Sequence, residues 1–229
     1  MKRIYTLIAA SMFLLSACTT DESNQQKPKK SEETHDSSQK QSDKQEKKQH
    51  KVTKKNGVTY IDGHIFANKK VDLPRDYAPG ENKIARDHLN QLIQDANKEG
   101  LDIVFRSGYR SYEEQAQLYK DYVARDGVEE ADKYSAKPGK SEHQTGLTFD
   151  VGSNTATYDF KKSFGDTKEG KWIEQNAYKY GFIIRYLKGK ENITGYQYEP
   201  WHLRYVGKDL AKKIHQKNLT LEEYFEYGY

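Results

Sequence analysis

The sequence predicts an α+β fold, with a small central antiparallel sheet flanked by helices in one domain. Short β-prone runs such as LDIVF (101–105) and FIIRY (182–186) mix irregularly with helical patterns, unlike the regular alternation of a doubly wound parallel sheet. Nearly all aromatic residues fall within 57–229. That segment, roughly 170 residues, is long enough for one proper core, and it shows no internal repeat.

The elements follow in order. Val58 to Ala67 reads as a hairpin, because Asp62-Gly63 at its middle tolerates the positive φ of a tight turn. Ile84, Leu89, Leu92, Ile93 and Ala96 recur at helical spacing, and Gly100 is a natural stop. Leu101 to Phe105 is then a short buried strand running into Arg106-Ser107-Gly108-Tyr109-Arg110. Ser111 and Glu114 have capping-box spacing, so a helix starts there and is expected to bury Ala116, Tyr119 and Val123. A second helix is expected around Val128 to Tyr134, broken by Lys137-Pro138-Gly139-Lys140, and Thr148 to Val151 reads as a strand. Trp172, Ile173, Asn176, Ala177 and Tyr180 fit a helix ended by Gly181, with Phe182 to Tyr186 as the next strand. Glu199 to Tyr205 is another strand candidate, and helices near Lys208 to Lys217 and from Thr220 onward close the chain.

The N-terminus is of another kind. Lys2 and Arg3 precede an apolar run from Ile4 to Leu15 and then small residues, the pattern of a secretory signal and too short to span a bilayer. Leu15-Ser16-Ala17-Cys18 resembles the lipobox of bacterial lipoproteins, which implies a signal peptide over 1–17 and lipidation at Cys18. Cys18 is the only cysteine, so no internal disulfide is available to explain it. Lipidation would hold the protein on the outer face of the bacterial cell membrane, outside the cytoplasm. From Thr19 to Asn56 the chain is Lys, Glu, Asp, Gln and Ser almost without relief, too polar to offset its ordering entropy. Residues 18–56 are therefore expected to be a disordered tether with a reach on the order of 35 Å, and 57–229 the domain. The formal charge of +4 is a weak basic excess and gives no ground for nucleic-acid binding.

Within the domain the histidines are 64, 88, 143, 202 and 215. His64, His88 and His215 have ordinary polar surroundings. His143 is linked through a turn at Gly146 to Asp150 on the next strand, and Glu199 precedes His202 by one helical turn's spacing. A catalytic zinc needs three protein ligands and an open fourth position, and with no thiol in the domain these must be His, Asp or Glu. Spacing alone leaves open a metal site or a structural His–Asp hydrogen bond.

Ser141-x-His143-x-x-Gly146-x-x-x-Asp150, followed by Glu199-x-Trp201-His202, resembles the VanY-type D-alanyl-D-alanine carboxypeptidases, zinc peptidases of bacterial cell-wall peptide stems. Ser107-Gly108-Tyr109-Arg110-Ser111 resembles the family's arginine-bearing turn, and Asn68-Lys69-Lys70 with Leu73-Pro74 and Tyr77 its domain opening. The resemblance covers most of Ala67 to Gly207; Thr148 stands where relatives often carry alanine. It implies one zinc-peptidase domain, with His143, Asp150 and His202 as zinc ligands, Glu199 as catalytic base and Arg110 as a substrate and transition-state contact. The implied substrate is a peptidoglycan stem ending in D-Ala-D-Ala, with an L,D-carboxypeptidase on tetrapeptide stems as the alternative. Arg106 offers a second cation to a free carboxylate. Gln115 and Ser141 either hydrogen-bond the peptide or serve as helix surface and turn cap. A monomer is expected.

Two rivals are weaker. Ser37-x-x-Lys40 matches the serine penicillin-binding motif but lies in the tether, and no Lys-Thr-Gly partner exists. A wall-binding module without catalysis would use tyrosines as stacking surfaces, but the full set His143, Asp150, Glu199 and His202 argues against it.

Overall fold

Asn56 and Gly57 both adopt positive φ and form a tight turn, so the ordered domain begins before it. The computed structural model describes residues 49–155 and 159–229. The predicted export signal, Cys18 and the tether as far as residue 48 lie outside the described residues.

The elements are β1 (Val52–Lys55), β2 (Val58–Ile61), β3 (His64–Phe66), α1 (Lys83–Lys98), β4 (Val104–Ser107), α2 (Tyr112–Asp126), α3 (Val128–Tyr134), β5 (Thr148–Gly152), α4 (Lys168–Asn176), β6 (Phe182–Ile184), α5 (Glu191–Thr194), β7 (His202–Tyr205), α6 (Lys208–Lys217) and α7 (Leu221–Phe225). β1, β2 and β3 form one antiparallel sheet. The second sheet has the order β4-β5-β7-β6, antiparallel at every pair. The α+β prediction is borne out.

β1 corrects the predicted boundary at residue 56. All four of its side chains are exposed, so polar residues are tolerated there, and its backbone pairs with β2. Asp62 secures its start, accepting from the Lys51 backbone N–H at 2.9 Å and lying 2.7 Å from His50 Nδ1. The Asn56-Gly57 turn joins the two strands despite the polar composition around it.

The four-stranded sheet is covered on both faces. Phe149, Val151, Phe182 and Leu203 pack with Leu89 and Leu92 of α1 and Ile173 of α4. On the other side Ile183 and Val206 meet Leu210 and Ile214 of α6 and Phe225 of α7. The alternation of Phe182 and Ile183 between the two cores is the period-two pattern of a strand buried on both faces.

Capping explains where helices start. The Asn82 side chain accepts from the Ala85 N–H at 3.0 Å, and Ser111/Glu114 and Thr220/Glu223 form reciprocal capping boxes. Three expectations shift. Ile84 is 63 % exposed, because the buried stripe of α1 runs through Ala85, Leu89, Leu92 and Ala96. The strand expected from Leu101 begins only at Val104, since the Asn97 side chain takes both the N–H and the C=O of Ile103. Ala116, Tyr119 and Val123 are half-buried, and the buried residue of α2 is Gln115, on the neighbouring face that lines a cavity with Leu118 and Tyr122.

Candidate active site

Strand register builds half of the site. Asp150 on β5 stands directly opposite His202 on β7, and Ser107 on β4 is opposite Asp150 on its other side. His143 arrives from a 3-10 turn, Glu142–Thr145, which ends at Gly146 in the left-handed conformation with φ 70°. A Cβ at Gly146 would lie 2.0 Å from the Gly80 carbonyl oxygen, so only glycine permits both the turn and this approach.

The three side chains converge. His143 Nε2 lies 3.3 Å from Asp150 Oδ2, and His202 Nδ1 lies 3.3 Å from Asp150 Oδ1. One ligand atom from each falls within 4.8 Å of the others. Asp150 Oδ1 is buried with no hydrogen-bond partner among the described residues, which is costly unless something else satisfies it. Two imidazole nitrogens and a carboxylate oxygen facing a cavity fit zinc with an open position, and they disfavour the oxygen-only preference of calcium or magnesium.

Glu199 completes the group. The His202 N–H bonds the Glu199 carbonyl at 3.1 Å, a turn that folds the two side chains together and starts β7 later than predicted. Glu199 Oε2 is 3.6 Å from His202 Nδ1. Burial pushes the Glu199 carboxyl up to about 8, with the Asp150 charge adding to the effect. Burial lowers His143. For His202 burial also opposes the charge, but Asp150 and Glu142 outweigh it and raise the group to about 9. Burial works upward on Asp150 too, yet the two imidazoles hold it well below the usual carboxylate range.

The group sits in a cavity of about 630 Å³, of the size that takes a small ligand. Arg110 lines it, donating to Gln115 Oε1 at 2.8 Å and Ser107 Oγ at 3.1 Å. Gln115 is buried, not on the helix surface, and its amide also donates to the Ala136 carbonyl at 2.6 Å, so it braces Arg110. Ser141 lines the cavity and makes no side-chain capping bond.

Arg106, expected to contact substrate, does not line the cavity. A register shift between Phe105 and Ser107 turns Ser107 toward Asp150, and Arg106 instead bonds Asp159 at 2.6 Å, Asn154 at 3.2 Å and the Ser153 carbonyl at 2.9 Å. Its guanidinium is spent bracing that loop. Sequence reasoning passed over Tyr186, whose ring lies 4.8 Å from that of His202, and Tyr196 beside it, because tyrosine is abundant in this chain. Glu142 was passed over as well, although it adjoins His143 within the quoted motif.

Comparison with known proteins places the chain among zinc-dependent carboxypeptidases. The family model described as VanY, D-alanyl-D-alanine carboxypeptidase, matches residues 80–208. YodJ of Bacillus subtilis (strain 168) is 45 % identical over 180 residues, covering 70 % of this chain and 66 % of YodJ. The LdcB LD-carboxypeptidase structure is 47 % identical with a TM-score of 0.71, covering 77 % of this chain and 95 % of LdcB. A mutant of the vancomycin-resistance D,D-pentapeptidase VanY, solved in complex with Zn(II), is 32 % identical with a TM-score of 0.60, covering 70 % and 97 % of the two chains. Of the curated relatives it matches, the chain spans 48 to 67 % of their length. With the family model matching more than half of the chain and the fold shared with solved relatives, the chain belongs to the VanY family of D-alanyl-D-alanine carboxypeptidases.

Proposed function

We propose that the protein is a zinc-dependent carboxypeptidase that removes the C-terminal D-alanine from peptidoglycan stem peptides. The observation that carries this reading is the convergence of His143, Asp150 and His202 on one point of the cavity, with the buried carboxyl of Glu199 beside them. Zinc held by His143, Asp150 and His202 would supply Lewis acidity and lower the pKa of a water at neutral pH. Glu199 would accept a proton from the attacking water and pass it to the leaving amine, a role suited to a carboxyl whose affinity for protons is raised by burial. Arg110 turns a rigid fork of donors toward the substrate's negative charge. All of these groups come from one chain, which supports a monomeric enzyme.

The bond cut has two readings. The family description supports D,D cleavage of a stem ending in D-Ala-D-Ala. A specific observation favours L,D cleavage of tetrapeptide stems: identity is 47 % to LdcB against 32 % to the D,D-pentapeptidase. Parallel kcat/KM measurements on pentapeptide and tetrapeptide stems decide between them. Release of internal cross-link fragments without free D-alanine would overturn the carboxypeptidase reading altogether.

For Arg110→Lys, the expected outcome is a marked fall in kcat/KM with the fold intact, since an ammonium cannot hold Gln115 and Ser107 and present a planar fork at once. An unchanged value removes Arg110 from the substrate contacts.

The sequence at 1–18 further supports export and lipid anchoring at Cys18, with the polar stretch behind it as a tether from membrane to wall. Wild-type protein is expected in the membrane fraction outside the cytoplasm, and Cys18→Ala is expected to change processing and reduce retention. Equal retention in the mutant, with no lipid on the wild type by mass spectrometry, refutes the anchor.

A further inference from the structure

Glu142 is fully buried, and its two carboxylate oxygens live in different surroundings. Oε1 accepts from Arg185 Nε at 2.8 Å and from an Arg204 guanidinium nitrogen at 2.7 Å. Arg185 is itself gripped by both oxygens of Glu222, at 2.8 and 2.6 Å, and Arg204 donates to the Ile65 carbonyl at 2.6 Å. Two anchored cations therefore fix the orientation of the Glu142 carboxylate. Its Oε2 then points at His202 Nε2, 3.9 Å away. Neither atom has a hydrogen-bond partner among the described residues, and both are buried. At 3.9 Å the pair is longer than a direct hydrogen bond, and a shift of about 1 Å closes it.

The other histidine shows what such a contact does. His143 Nδ1 lies 2.7 Å from the Gly108 carbonyl oxygen, which can only accept; the proton therefore sits on Nδ1, and Nε2 is left for Asp150 and the metal. His202 is turned the other way, with Nδ1 toward Asp150 and Nε2 toward Glu142.

We propose that Glu142 is a positioning residue for the metal centre: when the metal is bound, the 3.9 Å gap closes and its Oε2 accepts a hydrogen bond from His202 Nε2–H, which fixes the ring and leaves Nδ1 as the ligand nitrogen. This rests on the reading of His202 as a zinc ligand and extends it to the residue behind it. Ligating histidines are commonly held in this way by a carboxylate or carbonyl, and loss of the partner costs about 10–100-fold in metal affinity. The alternative is that Glu142 serves only as counter-ion to Arg185 and Arg204.

Glu142→Gln separates the two. Because both arginines can only donate, the amide oxygen must take the place of Oε1, and the amide NH₂ then faces His202 Nε2. A donor there favours the proton on Nδ1, where it blocks ligation. Zinc affinity of the full chain, read by competition with a chelator of known affinity, is expected to fall about 10–100-fold. Glu222→Gln removes the same charge from the same cluster but leaves Glu142 facing His202, and its affinity is expected to stay within about threefold of wild type. Equal losses in the two variants overturn the proposal. On the zinc-loaded wild-type chain, nitrogen-15 imidazole NMR is expected to show a slowly exchanging proton on His202 Nε2. A proton on Nδ1, or none protected on Nε2, overturns it even if Glu142→Gln does not fold. Full retention of zinc in His202→Ala would remove the ligand assignment and the proposal with it; depletion there with normal affinity in Glu142→Gln removes the proposal alone.

Discussion

Replacing Glu199 with glutamine is expected to leave zinc bound and to lower kcat by roughly 10²–10⁴-fold, the usual value of a positioned proton acceptor. The amide keeps the shape and burial of the side chain but cannot take a proton. Zinc stays because Glu199 is not among the three converging ligands, its Oε2 lying 3.6 Å from His202 Nδ1. The pH profile carries a second signature. In the metal-free protein burial holds the carboxyl at about 8, and the positive charge of bound zinc draws it downward. A base works only when deprotonated, so kcat/KM of the wild type rises with pH along an acid limb below about 8, and the residual rate of the glutamine variant loses that limb. Metal analysis beside steady-state kinetics checks both parts. Turnover within threefold of wild type would move the role elsewhere, and zinc loss would make Glu199 a ligand instead.

Arg185→Met is expected to cost about 3–5 kcal/mol of folding stability, because it strands charge in the interior. Arg185 is 0 % exposed and bonds both Glu142 and Glu222, so methionine fills much of the space while leaving the two carboxylates with one cation, Arg204, which contacts Glu142 only. Against a typical domain stability of about 5–15 kcal/mol this is a large fraction. Urea unfolding checks it: the midpoint falls with little change in slope. A loss below about 1 kcal/mol would mean that the carboxylates recover partners or protons when the arginine is gone.

This charged cluster marks the limit of what could be read from the chain. A long cation at position 185 within FIIRY, and another at 204 two residues after His202, carry no local sign that they are buried, since arginine is ordinarily a surface residue. Their burial is favourable only because Glu142 and Glu222 arrive from a 3-10 turn and from α7, far apart in sequence. Arg106 and Arg110 show the same limit. As residue types they were equivalent candidates for substrate, and only the register shift in β4 sent one to the loop at Asp159 and left the other in the cavity.

What the sequence determined by itself was local. The α+β class followed from mixed short periodic segments, and the helix starts at Ser111 and Thr220 from capping boxes, whose partners are three residues apart. Donor chemistry and spacing alone pointed to His143, Asp150, Glu199 and His202 as a group, and it was the family resemblance that separated His143, Asp150 and His202 as the implied ligands from Glu199 as the implied base. The tertiary structure decided the rest: that Asp150 pairs across strands with His202, that Gln115 turns inward to hold Arg110, and that Glu142 stands behind His202. Strand pairing and the burial of charge depend on which distant segments meet, and their free energy belongs to the assembled contacts rather than to any window of the chain.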